Sequence, residues 1–245
     1  MKHRNRIILF TSSVVLTLLL SFISMNLFSK TQSHISTTQN SSQNSKTAMF
    51  AGGCFWCMEG IFEGQDGVFE AVSGYIGGSA ESANYTAVSR GTSKHREAVQ
   101  VQYNPEKISY ETLVELYWTQ IDPTDPEGQF ADKGFQYTTA IYYADEAEKL
   151  IAETSKKTLA SSGKFEKPIV TLILPQSEFY PAESYHQDYY KKSSFRYNLY
   201  KRGSGREGFI DENWKDRIAE LSEATYSEEA LKEKLTPLQY KVTQE

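Results

Sequence analysis

Cysteine is what this 245-residue chain has least of: Cys54 and Cys57 are its only thiols. Two cysteines so close exclude a disulfide-stapled scaffold. Closing their four-residue loop would constrain the unfolded chain by only about 2 kcal/mol, against nearly 5 (~) for a loop of a hundred residues. They do not make a thiolate zinc centre either. No further cysteine completes one, and past the extreme N-terminus the only histidines are His34, His95 and His186. Acidic residues are missing until Glu59. Residues 1–46 carry five basic groups, so with a formal net charge of -5 the remainder holds about ten excess negative charges. No basic patch with interleaved aromatics occurs, so nucleic acid is not an expected partner. Aromatics are abundant: 16 Tyr, 13 Phe and 3 Trp suffice for a well-packed core and an aromatic-lined cleft.

The N-terminus has its own character. Lys2, Arg4 and Arg6 precede an uncharged run from Ile7 to Ser29, roughly 34 Å long as a helix and so about one bilayer core. Basic residues ahead of it and no acid behind it orient the N-terminus to the cytoplasm. Residues 1–29 are therefore read as a signal peptide or a transmembrane anchor. No clear small-x-small cleavage site follows the apolar core, which favours the anchor. Residues 30–46 are 13 of 17 Ser, Thr, Gln or Asn, the composition of a flexible tether. The expected location is outside the cytoplasm, membrane-anchored, or secreted or periplasmic if the leader is cleaved.

The centre of the chain is Gly53-Cys54-Phe55-Trp56-Cys57. Before it, residues 47–52 read as a short strand entering a glycine turn; after it, Phe55, Met58, Ile61 and Phe62 recur at helical spacing. Cys54 thus falls where a strand hands over to a helix, a place whose free amides and dipole favour a thiolate. Cys57 lies one turn on, on the same face. This is a layout for redox chemistry at sulfur.

Further elements follow in order. Residues 68–76 read as a strand ended by Gly77-Gly78, and 96–103 as a period-two strand closed by Asn104-Pro105. Ser109 caps a helix with Leu113, Leu116, Tyr117 and Ile121 on one stripe. A long loop, 122–134, precedes a strand at 137–143, a helix at 145–161 stopped by Gly163, and a strand at 169–174 stopped by Pro175. Loops of that length are uncommon in compact domains and often functional. The order β-α-β-β-α-β predicts an α+β fold, the ferredoxin-like split βαβ plait, with an added helix and strand. In strand 96–103, alternation puts Glu97 on the face of Val99, Val101 and Tyr103. A carboxyl on an apolar face loses hydration and its pKa rises, which suits a general acid, unless the strand end simply reaches water.

With these residues in hand, the chain resembles the A-type peptide methionine sulfoxide reductases. The resemblance is carried by Gly-Gly-Cys-Phe-Trp-Cys-Met-Glu (52–59), Gly-Tyr-Ile-Gly-Gly (74–78), Asn-Tyr (84–85), His-Arg-Glu-Ala-Val (95–99) and Asp-Pro-Thr (122–124). Ala-Asp-Lys-Gly-Phe-Gln-Tyr (131–137), Phe-Tyr-Pro-Ala-Glu-Ser-Tyr-His-Gln-Asp-Tyr (179–189) and Ser-Gly-Arg (204–206) complete it, in family order over roughly residues 47–214. It implies a catalytic domain, set at 47–216, that reduces the S epimer of methionine sulfoxide in oxidised proteins. Cys54 would attack the sulfoxide sulfur, Glu97 would protonate its oxygen, and Tyr85 and Tyr137 would donate hydrogen bonds to that oxygen. Asp132 would order the site, and Phe55 and Trp56 would wall the methyl pocket. No cofactor or metal is implied; electrons would come from thioredoxin or a thioredoxin-like donor.

One departure matters. Many relatives have Gly after Phe-Trp and recycle through cysteines near the C-terminus, whereas this chain has no cysteine after Cys57. The resemblance then implies that Cys57 resolves the Cys54 sulfenic acid as an internal disulfide, unless an external thiol acts directly. Glu183 and His186 share a helical face that could suit a metal, but no further ligands stand nearby, and the resemblance places this stretch near the site as structural support. Residues 217–245 read as a charged tail whose end, 236–245, resembles the opening of a B-type reductase domain; with no B-type cysteines present, activity on the R epimer is not expected. Two other classes are weighed. A thioredoxin-type thiol–disulfide oxidoreductase would want a cis-proline loop facing the cysteines, and Pro168 is over a hundred residues away. An anchored binding module would carry the cysteines as an inert bridge.

Overall fold

The protein is described here from a computed structural model that covers residues 45–225. The expected anchor or signal, most of the tether and the B-type-like run lie outside the described residues. Among those described, no helix is long and apolar enough to cross a membrane.

The chain runs β1 (Lys46–Ala51), α1 (Phe55–Glu63), β2 (Val68–Ile76), a short α2 (Tyr85–Ser89), β3 (Arg96–Tyr103) and α3 (Tyr110–Trp118). It continues through a two-stranded hairpin, β4 (Gly128–Gln129) and β5 (Asp132–Lys133), then β6 (Ala140–Tyr143), α4 (Glu146–Ser161), β7 (Leu172–Pro175) and β8 (Phe179–Pro181). Three helices finish it: α5 (Tyr189–Lys192), α6 (Ser194–Gly203) and α7 (Arg206–Thr225). Local chemistry sets the boundaries. Ser109 accepts from the Thr112 N–H and Asp145 from the Glu148 N–H, each closing one orphan donor at a helix start.

The main sheet has the order β7-β6-β1-β3-β2-β8, antiparallel throughout except for the parallel pair β6–β7. Its centre, β6-β1-β3-β2, is two interlocked β-α-β units: β3 lies between β1 and β2, and β1 between β3 and β6. Helix α4 and strand β7 extend one edge, as expected. Strand β8 on the other edge was not expected. It pairs with Gly74–Ile76, and Gly74 is what admits it, since a Cβ there would lie 2.5 Å from the Tyr180 carbonyl.

Two strands are shorter than their patterns. The strand expected from 137 begins at Ala140, because Phe135–Tyr137 close a 3-10 turn through Tyr137 N–H to Gly134 O and Thr138 N–H to Phe135 O. The strand expected from 169 joins the ladder only at Leu172; before that, the Val170 N–H is taken by the Pro123 carbonyl. Helix α7 runs unbroken across the domain end expected at 216, with Ile210 and Trp214 buried and Ile218 and Leu221 packed on the core.

The core lies between the sheet and helices α1 and α3. Phe50 of β1 stacks on Phe62 of α1 at 5.0 Å and on Tyr117 of α3 at 5.3 Å, and the Tyr117 hydroxyl donates to the Ala51 carbonyl. Val99, Val101 and Tyr103 of β3 join the same face. Glu97 shares that face, two residues before Val99. We predict that Phe50→Ala lowers unfolding free energy by about 3–5 kcal/mol, as for other deep aromatic truncations. Phe195→Ala on the exposed side of α6 should stay within about 0.5 kcal/mol. Urea denaturation of both variants measures the contrast.

Candidate active site

The site is built on the turn between β1 and α1. Gly53 takes φ +81°, and a Cβ on it would lie 2.6 Å from the Gln129 side chain and 2.8 Å from the Arg206 guanidinium. Only glycine makes this turn, and it leaves Cys54 as the N-cap of α1. No side chain of the turn itself caps the helix. Instead the Phe55 N–H, one of the orphan amides, donates to Glu97 Oε2 at 3.1 Å. A carboxyl from the middle of the sheet thus fastens the start of the helix that carries both sulfurs.

Glu97 is 2 % exposed. Burial pushes its carboxyl up to about 8, the negative groups at Asp132 and Cys57 add to the rise, and the Phe55 N–H opposes it. At neutral pH it is a carboxylic acid. The alternation read from the sequence put it on the apolar face, and it does not escape to water.

At Cys54 the helix start acts alongside burial. Burial holds its thiol well above the ordinary range, helped by its hydrogen bond to Cys57 and by the charges at Cys57, Glu97 and Asp132. Cys57 is the acidic partner. It is lowered to about 7 by the hydrogen bond it accepts from Cys54 and by the nearby charges of Arg206 and Lys201, against its own burial. The reason is one of size. A helix terminus favours an anion by about 0.3–1 kcal/mol, up to about 2 in partly buried geometry, whereas burial can move a pKa by several units. The amide nearest the sulfur is also already committed to Glu97.

Cys54, Phe55, Trp56, Tyr85, Glu97, Asp132, Tyr137 and Tyr200 line a cleft of about 100 Å³. It has room for a group of a few heavy atoms. Every residue nominated for the site from the sequence is here except Cys57, which is 2 % exposed and sits behind Cys54. Tyr137 arrives because its 3-10 turn leaves the sheet. The Tyr85 backbone N–H donates to Glu183 Oε1 at 2.9 Å, and burial raises the hydroxyls of Tyr85 and Tyr137, keeping both as donors. The Phe55 ring is buried against Tyr75 and His186, and the Trp56 ring stacks on Tyr189 at 3.9 Å. Together these rings form an apolar wall beside an acid, several hydroxyls and one thiol. Such a set suits a substrate with one polar oxygen on an otherwise apolar centre.

Tyr200 was missed. It sits in the tyrosine-rich run 180–200, which reads from the sequence as packing and substrate surface with no single residue marked out, and α6 carries its hydroxyl onto Asp132 Oδ2. Only its helical position relative to a fold not yet known would have singled it out. Glu183 and His186 are supports, as expected. The carboxylate accepts from the Tyr75 hydroxyl at 2.8 Å as well as from Tyr85, and His186 Nδ1 accepts the Trp56 indole N–H at 3.1 Å. Those contacts engage His186 Nδ1 and both Glu183 oxygens with the walls of the cleft; the buried His186 Nε2 has no hydrogen-bond partner among the described residues and lies 3.9 Å from Glu183 Oε2. A second acidic group, Glu59, Glu63 and Asp188, is likewise engaged, by Ser73, Tyr190, Lys191 and Lys192.

Comparison with known proteins gives one answer. Residues 46–218 match the family described as peptide methionine sulfoxide reductase. The peptide methionine sulfoxide reductase MsrA of Bacillus velezensis is 54% identical over 176 residues, covering 72% of this chain and 99% of the relative. That of Bacillus subtilis is 52% identical over 173 residues, covering 71% and 98%. Among solved structures, methionine sulfoxide reductase A of Corynebacterium diphtheriae aligns with TM-score 0.55 at 31% identity, over 62% of this chain and 77% of that one. Reduced Mxr1 from Saccharomyces cerevisiae aligns with TM-score 0.57 at 29% identity, over 62% and 88%. The family model, the relatives and the buried acid–thiol cleft agree: this chain belongs to the peptide methionine sulfoxide reductases of the A type, and it is an enzyme.

Proposed function

We propose that the enzyme reduces the S epimer of methionine sulfoxide in proteins, with Cys54 and Cys57 in separate roles and Glu97 as the acid. The observation that carries this is the buried Glu97 carboxyl, tied to the Phe55 N–H and opening on the same cleft as Cys54. A sulfoxide oxygen leaves poorly until it is protonated, so a neutral carboxylic acid beside the attacking sulfur is what the reaction needs.

In the first half-reaction the Cys54 thiol passes its proton to the Cys57 thiolate it is hydrogen-bonded to, and its sulfur attacks the substrate sulfur. Glu97 protonates the sulfoxide oxygen, with Tyr85 and Tyr137 donating to it. That oxygen transfers to Cys54, so methionine leaves and Cys54 is a sulfenic acid. The substrate sulfur is reduced by two electrons and Cys54 is oxidised by two. In the second half, Cys57 sulfur attacks Cys54 sulfur, the S–O bond breaks, and the oxygen departs as water. The resulting Cys54–Cys57 disulfide is returned to two thiols by the dithiol of thioredoxin or a thioredoxin-like donor. Phe55 and Trp56 receive the substrate methyl group, and Asp132 holds Tyr200 at the rim. The leader-like first 29 residues support a place outside the cytoplasm, with exported proteins as substrates.

Turnover of S- against R-methionine sulfoxide separates the readings. Wild type should consume the S epimer alone, and Cys54→Ser should be inactive with any reductant. Cys57→Ser should release about one methionine per enzyme and lose thioredoxin-driven cycling. An unimpaired steady state in Cys57→Ser removes the resolving role; insulin reduction without sulfoxide turnover favours a general thiol–disulfide oxidoreductase.

The pH profile tests the acid. With Cys57 at about 7 and Glu97 at about 8, the apparent rate should rise as the pair ionises and fall as the Glu97 carboxyl loses its proton. Glu97→Gln should cost about 10²–10⁴ in the chemical step and abolish the alkaline limb. Stopped-flow rates from pH 5.5 to 9.5 (~) check both.

A further inference from the structure

His186 stands between β8 and α5 and is 2 % exposed. Its ring packs against Tyr185 at 4.2 Å, Tyr85 at 4.4 Å and Phe55 at 5.0 Å between centroids. One ring nitrogen is in use: Nδ1 faces the Trp56 indole nitrogen at 3.1 Å. An indole N–H can only donate, so Nδ1 is the bare acceptor. A neutral imidazole carries one proton, and here that proton falls on Nε2. Burial holds the ring below its usual pKa, against the Glu183 charge, so the neutral form prevails.

The Nε2–H has no hydrogen-bond partner among the described residues. Glu183 Oε2 lies 3.9 Å away and already accepts from the Tyr75 hydroxyl at 2.8 Å. A buried donor left without an acceptor is destabilising, and in a folded protein it calls for a reason. Packing alone would be served by an apolar ring of similar size. What the imidazole adds is the acceptor it turns toward Trp56.

Trp56 is half-buried in the first turn of α1 and lines the cleft. Its ring lies on Tyr189 at 3.9 Å, with 13° between the planes. A stacked partner fixes the plane of a ring and leaves its rotation within that plane free. A hydrogen bond is directional and fixes that rotation too. The in-plane position of the indole decides how much room remains beside Phe55. We propose that His186 is the positioning residue of the methyl pocket: its Nδ1 locks the Trp56 indole in one orientation on Tyr189, and so sets the size of alkyl group the cleft accepts on the substrate sulfur. This rests on the wall role given to Trp56 above. His186 is not among the residues lining the cleft and acts through Trp56. The Glu183–His186 pair thereby divides its work, Glu183 holding Tyr75 and the Tyr85 backbone while His186 holds the indole.

The test separates the hydrogen bond from the packing. His186→Phe keeps a ring and loses the acceptor; His186→Asn loses the ring and offers Oδ1 where Nδ1 stood. Each is made in the full chain, beside Trp56→Phe. With dithiothreitol as reductant, turnover of S-methionine sulfoxide is compared with that of its ethyl counterpart, which carries one more methylene on the sulfur. The parent should prefer the methyl substrate by about tenfold or more. His186→Phe should lose most of that preference, with KM for the methyl substrate about five- to tenfold higher and kcat little changed. In proton–nitrogen NMR the Trp56 indole N–H signal, identified by its loss in Trp56→Phe, should move upfield in His186→Phe. His186→Asn should recover the larger part of both effects. Equal effects in the Phe and Asn variants, or an indole signal that stays in place in His186→Phe, overturn the proposal. Should neither variant fold, the parent still decides: ring-nitrogen NMR should find His186 protonated at Nε2 and bare at Nδ1, and the opposite tautomer overturns the proposal. These spectra need no turnover. A methyl preference that survives Trp56→Phe removes the wall role of Trp56, whereas one lost in Trp56→Phe and kept in His186→Phe removes the role of His186 alone.

Discussion

The hydrogen bond from the Phe55 N–H to the Glu97 carboxyl joins two points 42 residues apart and fixes the site. On one side it closes an orphan amide of the helix that carries Cys54 and Cys57. On the other it anchors the acid on the central strand, where Tyr75 stands opposite in register. Because both partners are buried, the bond is strong only if the surrounding packing stays dry, and Phe55, Tyr75 and His186 keep it so. The position of the sulfur relative to the acid is therefore a property of the sheet–helix interface, not of a loop.

Dryness also decides where protons sit. Burial makes Glu97 and Cys54 neutral and leaves one acidic sulfur, Cys57, behind them. A site that kept a thiolate permanently at Cys54 would place an anion against a carboxyl that must stay protonated, and each charge would raise the other's pKa. Placing the second sulfur, Cys57, one helical turn back lets negative charge form on the pair away from that carboxyl. The three tyrosines at the rim contribute hydroxyls that stay protonated at any physiological pH, so they donate whatever the state of the pair.

Much of this was legible from the residues. The bounds of α1, β2 and β3 followed from periodicity and punctuation, and Glu97 was placed on the apolar face by counting alternate positions. What escaped depended on distant contacts. Strand β8 exists because Gly74 lets a remote segment approach, and nothing near Phe179 announces it. Tyr137 leaves its strand because the Gly134 carbonyl captures its N–H. Tyr200 comes to the cleft from a helix with no buried residue and no clear apolar stripe, where Phe195 and Leu199 are exposed. The raised Cys54 thiol has a similar origin: helix position is local, but burial is a product of the whole fold.

The account stands on Glu97 being a neutral acid in the resting enzyme, and infrared spectroscopy can see that proton directly. The difference spectrum between wild type and Glu97→Gln at pH 7 should contain the carbonyl band of a protonated carboxyl, fading as the pH is taken above about 8. Carboxylate bands in its place at neutral pH would contradict the account, because no acid would then stand beside Cys54 to release the sulfoxide oxygen.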